Sequence, residues 1–453
     1  MPLPLYLLAV AVFAMGTSEF VLAGLVPDLA ADLDRPVAAV GLATPAFAIG
    51  MVVGAPLTAA LARRWPARRS LLGFVLVFAA THVVGALAAD LPLLLVTRVV
   101  AALANAGFLA VALSTATTLV APERRGRALA ILLSGTTLAT VLGVPAGALV
   151  GTVLGWRATF WAIALLCLPA AVGVLVGVPR RPGGGERPAP SPASAPAPAP
   201  APAPTPSPSL RAELGVLGRP RVVRALALAA LVNAATFAGF TFVAPVVVGP
   251  AGLAELWVPV ALVLFGLGSF AGVTLAGRWV DSHVDTHVDT SADVDPGPRP
   301  GAGTTTGGVP RAALVAVPVG WTVLALVAAW PGALLAAVLV QGAVSFGVGT
   351  ALIARCLREA EAAPTMAGAY ATGALNVGAV VGPLVAAGVL TAAGTGALAP
   401  LWVGAGLGVA AVVVATATPE QRQSGVSSVR STSKGWVPRW STRKSSRRGE
   451  RQR

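Results

Sequence analysis

The sequence predicts an all-α membrane protein with twelve transmembrane helices in two pseudo-symmetric six-helix bundles. Three observations carry this prediction. The chain of 453 residues is 56% hydrophobic and only 11% charged, which is too apolar for a soluble domain. Apolar runs of about 20 residues, long enough to cross a bilayer of roughly 30 Å, recur on both sides of a proline-rich stretch. The two sets of runs also resemble each other weakly, as an internal duplication would.

The apolar runs are the predicted spans, taken in chain order. Met1 starts almost directly into the first run, which is too long for a signal peptide and contains no cleavage site, so we expect it to be retained. An amino-terminal bundle, residues 1–178, holds spans at 3–27, 38–62, 70–89, 92–118, 128–153 and 157–178. A carboxy-terminal bundle, residues 221–416, holds spans at 222–248, 256–280, 311–330, 332–355, 365–391 and 396–416.

Three segments outside the spans have biased compositions. Residues 179–220 are rich in proline and alanine and are predicted to be an extended, semi-rigid cytoplasmic linker. Residues 281–310 are predicted to be a low-complexity cytoplasmic loop. Residues 417–453 are predicted to be a basic, disordered cytoplasmic tail that touches anionic lipid.

The long loop contains the only histidine repeat of the chain. His283 and His287 lie four residues apart with aspartates between them, a spacing that would suit a metal if the segment were helical. Glycine and proline surround the repeat and no third ligand is fixed, so we interpret it as a polar insertion and predict no metal site. Cys167 and Cys356 lie in or beside apolar runs without metal spacing, and neither disulfide nor zinc is implied.

The distribution of arginines predicts the orientation. If the amino terminus is cytoplasmic, nearly all loop arginines fall on the cytoplasmic side, and the opposite side holds only Arg35 and Arg157. This positive-inside bias predicts a multi-pass protein of the cell (inner or plasma) membrane with both termini in the cytoplasm. It also accounts for the net charge of +14 without a nucleic-acid partner.

Span 5 carries the most distinctive pattern. Small residues recur every four positions through Gly143 and Gly147, so one helix face is nearly bare backbone that another helix can approach closely. Pro145 removes a backbone donor and bends the helix. Gly382 and Pro383 repeat the feature in span 11. Bent helices with such a face suit a part that moves.

Two ionisable residues are predicted to lie inside the bilayer. Glu19 is the acidic residue that falls well inside a span, and Arg98 in span 4 lies at a similar depth. A charged group at this depth is costly and usually faces a cavity or a partner, so we predict that both residues take part in proton coupling. A static ion pair that serves only packing is the alternative.

Other polar residues in the spans are candidates for relay or substrate contact. His82 in span 3 could relay protons, or simply bond to a backbone carbonyl. The residues around the substrate should be mostly apolar with a few polar anchors, although a packed polar seam would give the same pattern. The candidates for the cavity are Thr17, Ser18, Asn105, Asn233, Thr236, Phe237, Phe240, Thr241, Gln341, Ser345, Tyr370 and Asn376.

These motifs resemble the major facilitator superfamily, in its twelve-span drug:proton antiporter branch, and more narrowly the actinobacterial chloramphenicol-resistance exporters. Span 5 around Pro145 is similar to the antiporter motif, and Arg98 with Asn105 to the span 4 motif. One motif departs from the family pattern: the loop after span 2 has Arg63 where an aspartate is usual, whereas Asp281 keeps that aspartate in the second half.

The resemblance implies the major facilitator fold and alternating access, in which the two bundles rock about a central cavity. It implies export of a small hydrophobic drug, chloramphenicol above all, in exchange for protons, with the proton gradient as energy source and no cofactor. We expect a monomer that is not an enzyme. A sugar or nucleoside exporter of the same superfamily is the alternative, and a membrane-embedded enzyme or receptor is disfavoured because no nucleophile is paired with a base.

Overall fold

The computed structural model describes residues 1–62, 65–178, 210–288, 305–306, 309–363, 366–392 and 396–417. Within them, eleven helices are long and apolar enough to cross a membrane, and a shorter apolar helix, Arg311–Val327, lies where the ninth span is predicted. Most of the predicted linker, most of the predicted loop and nearly all of the basic tail lie outside the described residues. The helical membrane architecture expected from the sequence is therefore confirmed.

The helices follow the predicted spans in order. The first six spans are Leu3–Asp32, Val37–Val40 with Ala43–Ala62, Ala67–Ala86, Leu91–Thr118, Arg125–Leu154 and Trp156–Gly177. The second six are Pro220–Phe240 with Val243–Val248, Trp257–Val288, Arg311–Val327, Pro331–Glu359, Ala367–Ala392 and Ala399–Thr416. The shorter elements are a helix at Leu210–Gly215, 3-10 turns at Pro122–Arg124 and Val216–Gly218, and antiparallel two-residue strands at Thr305–Thr306 and Val309–Pro310.

Two spans that were predicted as continuous helices are broken, and proline explains each break. Span 2 turns at Gly41 and Leu42, four and three residues before Pro45. Span 7 turns at Thr241 and Phe242, in the same relation to Pro245. A proline ring clashes with the carbonyl four residues earlier and cannot bond to it, so the helix restarts after that point.

Span 8 is longer than predicted. Its helix runs on to Val288, into the segment that was predicted as a loop from residue 281. The side chains of Asp281, His283 and His287 lie outside the described residues, as do residues 289–304. The conformational role predicted for Asp281 therefore stays a prediction.

Two apolar cores correspond to the two bundles. One is built from residues of spans 1 to 6, including Leu25, Phe78 and Phe108. The other is built mainly from residues of spans 7 to 12, including Leu262 and Trp321, and also takes in Ala23, Val144 and Ala148 from spans 1 and 5. Large side chains on the outside of the helices are also apolar, as a bilayer requires: Val96, Leu165, Leu275 and Leu326 are 59–63% exposed.

The two bundles pack against each other at the end of the molecule where span 1 finishes, which we call the Asp32 end. Gly41 of span 2 lies so close to the ring of Phe242 that a side chain there would collide with it. Ala38 shares an apolar cluster with Phe242 and Ala386 of the second bundle. Small residues thus allow the bundles to meet closely at this end.

Candidate functional site

Arg98 lies in the core of the first bundle, where its guanidinium bonds to span 1. Only 1% of the residue is exposed. Its guanidinium donates to the Ser18 hydroxyl at 2.8 Å and to the Ser18 carbonyl at 2.6 Å. The face of the guanidinium lies over the ring of Phe47, 4.6 Å from its centroid, which adds a cation–π contact. Arg98 is therefore fixed in position by a neighbour of Glu19.

Glu19 does not form a direct ion pair with Arg98 in this structure. Among the described residues, the salt bridges within 4.0 Å join Arg157 to Asp32 and Arg355 to Glu359. Glu19 is only partly buried, and Arg98 acts on it electrostatically through space. Arg98 therefore bonds to Ser18, the residue before Glu19, and not to the Glu19 carboxyl itself. The pairing expected from the sequence is indirect in this structure.

His82 completes the polar cluster around Ser18. Its Nε2 atom lies 2.7 Å from the Ser18 hydroxyl, and its Nδ1 atom lies 2.8 Å from the carbonyl oxygen of Phe78. The imidazole packs between the rings of Phe78 and Phe160, with centroid distances of 4.4 and 5.7 Å. Spans 1, 3, 4 and 6 therefore meet at one buried polar point.

An aromatic assembly connects the two bundles next to Glu19. We call it the phenylalanine cluster: Phe20 of span 1, Phe237 and Phe240 of span 7, Phe265 of span 8 and Phe346 of span 10. Phe240 and Phe265 are stacked with centroids 4.7 Å apart, and the other neighbouring rings lie 5.9–6.3 Å apart. These distances are within the range in which aromatic rings attract one another.

The phenylalanine cluster borders a small pocket between the bundles, whose cavity volume of about 10 Å³ is roughly that needed by one water molecule. Its walls come from both bundles, and its polar groups are few, the hydroxyls of Thr140 and Ser269. Each of these hydroxyls donates to a carbonyl of its own helix, at 2.9 and 2.8 Å. The remaining lining residues are Phe20, Val144, Phe240, Leu262, Phe265, Gly266 and Phe346.

Most of the polar residues predicted for the cavity are engaged with backbone. Thr17 and Thr236 donate to carbonyls of their own helices, at 2.8 and 2.9 Å. Asn233 donates to the Leu375 carbonyl at 2.6 Å and so ties span 7 to span 11. The structure therefore gives these residues packing partners, and their predicted contact with substrate stays a prediction.

The other predicted cavity residues are spread over both bundles. The Asn105 amide points at the sulfur of Met51, 3.6 Å away, and Asn376 is half-buried and donates to the Thr372 carbonyl of its own helix at 3.0 Å. Gln341 is buried between spans 9 and 10 and donates to Ser345 at 3.2 Å. Thr241 is buried at the break in span 7, and Tyr370 donates to the Glu213 carbonyl at 3.1 Å, away from the pocket.

The predicted bend in span 5 takes the form of a π-helical turn. Residues Ala139–Gly143 are π-helical directly before Pro145. Proline cannot bond to the carbonyl four residues earlier, and a wider turn relieves the clash. A side chain at Gly143 would collide with Thr17, and Gly147 is packed against Val21, so the bare face of span 5 lies on span 1.

The opposite side of this π-helical turn packs on span 8. The Gly266 backbone lies against the Thr140 carbonyl. In span 11 the corresponding pair, Gly382 and Pro383, is buried, and Gly382 lies against the backbone of Ala234 in span 7. Both glycine-proline segments thus lie where one helix backbone touches another, although span 11 remains a continuous helix through Pro383.

Sequence reasoning missed part of the pocket wall. Phe20, Phe265 and Phe346 line it, yet the sequence analysis did not select them. The available signal was the position of Phe20 directly after Glu19. Phe265 and Phe346 lie in apolar runs and resemble ordinary core residues. Among the described residues no group of three metal-ligating side chains is close enough to hold an ion.

Helical spans, two packed bundles and a pocket between them define a membrane transporter. The Major Facilitator Superfamily model matches residues 8–288, and the chain belongs to this superfamily. It is 57% identical to the chloramphenicol resistance protein of Streptomyces lividans over 418 residues, 92% of this chain and 96% of that protein. It is 29% identical to the inner membrane transport protein YdhP of Escherichia coli (strain K12) over 393 residues, 87% of this chain and 90% of that protein.

Solved structures share the fold at low sequence identity. A bacterial homologue of the human lysosomal transporter Spinster, in an inward-facing and unoccupied conformation, matches with a TM-score of 0.65 at 18% identity, over 91% of this chain and 93% of that chain. A D-xylose–proton symporter matches with a TM-score of 0.65 at 14% identity, over 92% of this chain and 98% of that chain. The predicted major facilitator fold is confirmed.

Proposed function

We propose that this protein exports chloramphenicol and related amphenicols across the cell membrane in exchange for protons. The observation that carries the proposal is the phenylalanine cluster, which borders an apolar pocket between the bundles and includes Phe20, the residue that follows Glu19 in the chain. The high identity to a chloramphenicol resistance protein supports the choice of substrate. The protein works as a transporter and not as an enzyme, with the proton gradient as energy source and no cofactor.

The lining of the pocket matches a substrate with one aromatic ring and few polar groups, and the two bundles move apart to admit it. Chloramphenicol carries a nitrophenyl ring, which can stack in an offset or edge-on arrangement against phenylalanine. Phe20, Phe240, Phe265 and Phe346 all line the pocket, so its walls are rich in aromatic rings. A sugar or nucleoside would need more hydrogen-bonding groups than the two hydroxyls of Thr140 and Ser269. The apolar lining therefore favours a drug.

Glu19 is placed to couple the drug to the proton. It immediately precedes Phe20, which lines the pocket, so a drug in the pocket and a proton on Glu19 affect each other. The Arg98 guanidinium, which is held in place by Ser18, attracts the negative charge of Glu19. Protonation of Glu19 removes its charge and with it the attraction to Arg98. The protonated state then releases the drug, and the deprotonated state binds the next one.

The packing of the two bundles at the Asp32 end supports a cycle of alternating access. The arginine distribution assigns that end to the outside and both termini to the cytoplasm. On this assignment, the close contact of Gly41 with the Phe242 ring lies on the outer side and favours a cavity that opens to the cytoplasm. The π-helical turn of span 5 touches both span 1 and span 8 and is the natural place for the bundles to move past each other. We expect one chain in a lipid bilayer to suffice.

Purified protein in proteoliposomes with an imposed pH gradient tests the proposal. We expect labelled chloramphenicol to accumulate against its gradient when the side that receives the drug is acidic, and to stop when an ionophore collapses the gradient. A labelled hexose and a labelled nucleoside serve as competing substrates. Drug accumulation that ignores the gradient would exclude antiport, and uptake of the hexose or nucleoside without drug would favour the alternative exporter.

A further inference from the structure

The contacts of His82 determine which of its ring nitrogens carries a proton. Nδ1 lies 2.8 Å from the Phe78 carbonyl oxygen, an atom that only accepts. Nδ1 is therefore the donor. In a neutral imidazole the other nitrogen is then an acceptor. The Ser18 hydroxyl, 2.7 Å from Nε2, fits that role because it has one proton to give.

This assignment fixes which atom is donor and which is acceptor in every hydrogen bond of the polar cluster. Arg98 has only donors, so its Nη1 group donates to the Ser18 oxygen at 2.8 Å. The Ser18 hydroxyl donates a hydrogen bond to Nε2 of His82, and Nδ1 of His82 donates one to the Phe78 carbonyl. Ser18, His82 and Arg98 are each at most 1% exposed, so a reversed or broken bond would leave a polar atom unsatisfied in an apolar core.

We propose that His82 is a positioning residue that stays neutral through the transport cycle and does not carry the transported proton. As an acceptor, it fixes the Ser18 hydroxyl and through it the guanidinium of Arg98 beside Glu19. This inference rests on the proposed function, proton-coupled drug export, and assigns to His82 a role different from the relay considered from the sequence. Among the described residues, the charged group that faces His82 is Arg98.

A proton on Nε2 would break the hydrogen bond that the Ser18 hydroxyl donates to His82. Ser18 would then face two donors, Nε2 of His82 and Nη1 of Arg98, while its own proton lost its acceptor. A second positive charge would also lie beside Arg98, enclosed by the rings of Phe78 and Phe160. Buried like charges repel strongly where no water screens them. The geometry thus makes the acceptor role of Nε2 a structural requirement.

The tautomer can be observed directly. The chain has three histidines, and replacement of the other two, His283→Gln and His287→Gln, leaves His82 as the single histidine. In this otherwise intact protein, labelled with ¹⁵N-histidine and reconstituted in lipid, we expect one protonated and one unprotonated ring nitrogen at the pH where transport operates. The protonated nitrogen should be Nδ1. A spectrum with both nitrogens protonated, or with the proton on Nε2, would overturn the proposal.

Transport by variants provides the second test. His82→Leu removes the acceptor and should lower gradient-driven chloramphenicol uptake about tenfold, as expected for the loss of one buried hydrogen bond to an ordered charged network. His82→Gln keeps an acceptor and should recover at least half of the uptake, with the pH profile of the unmodified protein. In a Ser18→Ala background, His82→Leu should cause no further loss, because His82 acts only through Ser18.

The outcomes separate this inference from the proposed function. If His82→Gln retains drug exchange without a gradient but loses gradient-driven uptake, His82 carries the proton and the proposal is wrong. Additive losses in the double variant would also contradict it. If the unmodified protein moves no chloramphenicol in the same vesicles, the proposed function fails, and the nuclear magnetic resonance spectrum alone still decides the state of His82.

Discussion

Arg98 binds Ser18 through two hydrogen bonds, one from Nη1 to the hydroxyl and one from Nη2 to the backbone carbonyl. The two acceptors belong to a single residue of span 1, so the planar guanidinium is held in one orientation. Glu19 follows Ser18 in the chain, and the positive charge is therefore fixed relative to the backbone of the carboxyl-bearing residue. The proposed coupling of proton and drug depends on this relationship.

Replacement of Arg98 by lysine should impair transport although the charge remains. A lysine ammonium is a compact charge on a flexible stem and cannot reproduce the fixed fork that binds both Ser18 atoms. Loss of one charged hydrogen bond, about 1.5 kcal/mol or more, corresponds to roughly a tenfold loss of gradient-driven uptake.

Arg157→Lys is the matched control for this substitution. Arg157 forms an ion pair with Asp32 at 2.5 Å, but its side chain is 41% exposed. Exposed pairs contribute little, so uptake by this variant should stay within about twofold of the unmodified protein. Equal uptake by Arg98→Lys and Arg157→Lys would contradict the account.

Phe265→Leu should weaken chloramphenicol binding without unfolding the protein. Leucine keeps most of the apolar volume but removes the aromatic ring that the proposal places against the nitrophenyl ring of the drug, a contact worth about 0.5–1.5 kcal/mol. We therefore expect the Kd, measured by titration of purified protein, to rise about two- to tenfold. Phe270→Leu lies on the same helix, is 52% exposed and should leave the Kd unchanged. A similar rise in both variants would exclude a specific role for the phenylalanine cluster.

Gly382→Ala should destabilise the protein. A methyl group at Gly382 would fall on the backbone of Ala234, which cannot move as a flexible side chain can. Overpacking of this kind costs about 1–3 kcal/mol, so the midpoint of thermal unfolding in detergent should fall by several degrees. Gly388→Ala on the same helix meets open space and should leave the midpoint unchanged or raise it slightly. Equal midpoints for the two variants would mean that the close approach of spans 7 and 11 is not required.

The positions of the spans could be predicted because the length and polarity of a run are local properties of the sequence. The breaks in spans 2 and 7 were missed because they depend on individual carbonyl groups, those four residues before Pro45 and Pro245. Pro383 has the same chemistry and lies inside an unbroken helix. Which proline interrupts a helix is decided by the packing around it, and a single sequence does not contain that information.

The site was predictable only in part, for a related reason. Glu19 and Arg98 could be selected because charges inside apolar runs are rare and costly. The choice of Ser18 as partner of Arg98 depends on the rotation of span 1 about its axis, which packing sets. Asn233 was selected as a cavity residue because it is polar, yet its amide binds the Leu375 carbonyl. Phe265 was not selected because the sequence does not distinguish a pocket wall from a core.

Proton release on drug binding tests the central claim most directly. If drug and proton compete through Glu19, addition of chloramphenicol to purified protein in weakly buffered solution at neutral pH should release protons, because linked binding equilibria are reciprocal. Glu19→Gln has no proton to release there and imitates the protonated, drug-releasing state, so it should bind the drug more weakly and without a change in pH. No proton release from the unmodified protein, or the same release from Glu19→Gln, would contradict the claim that Glu19 exchanges its proton for the drug.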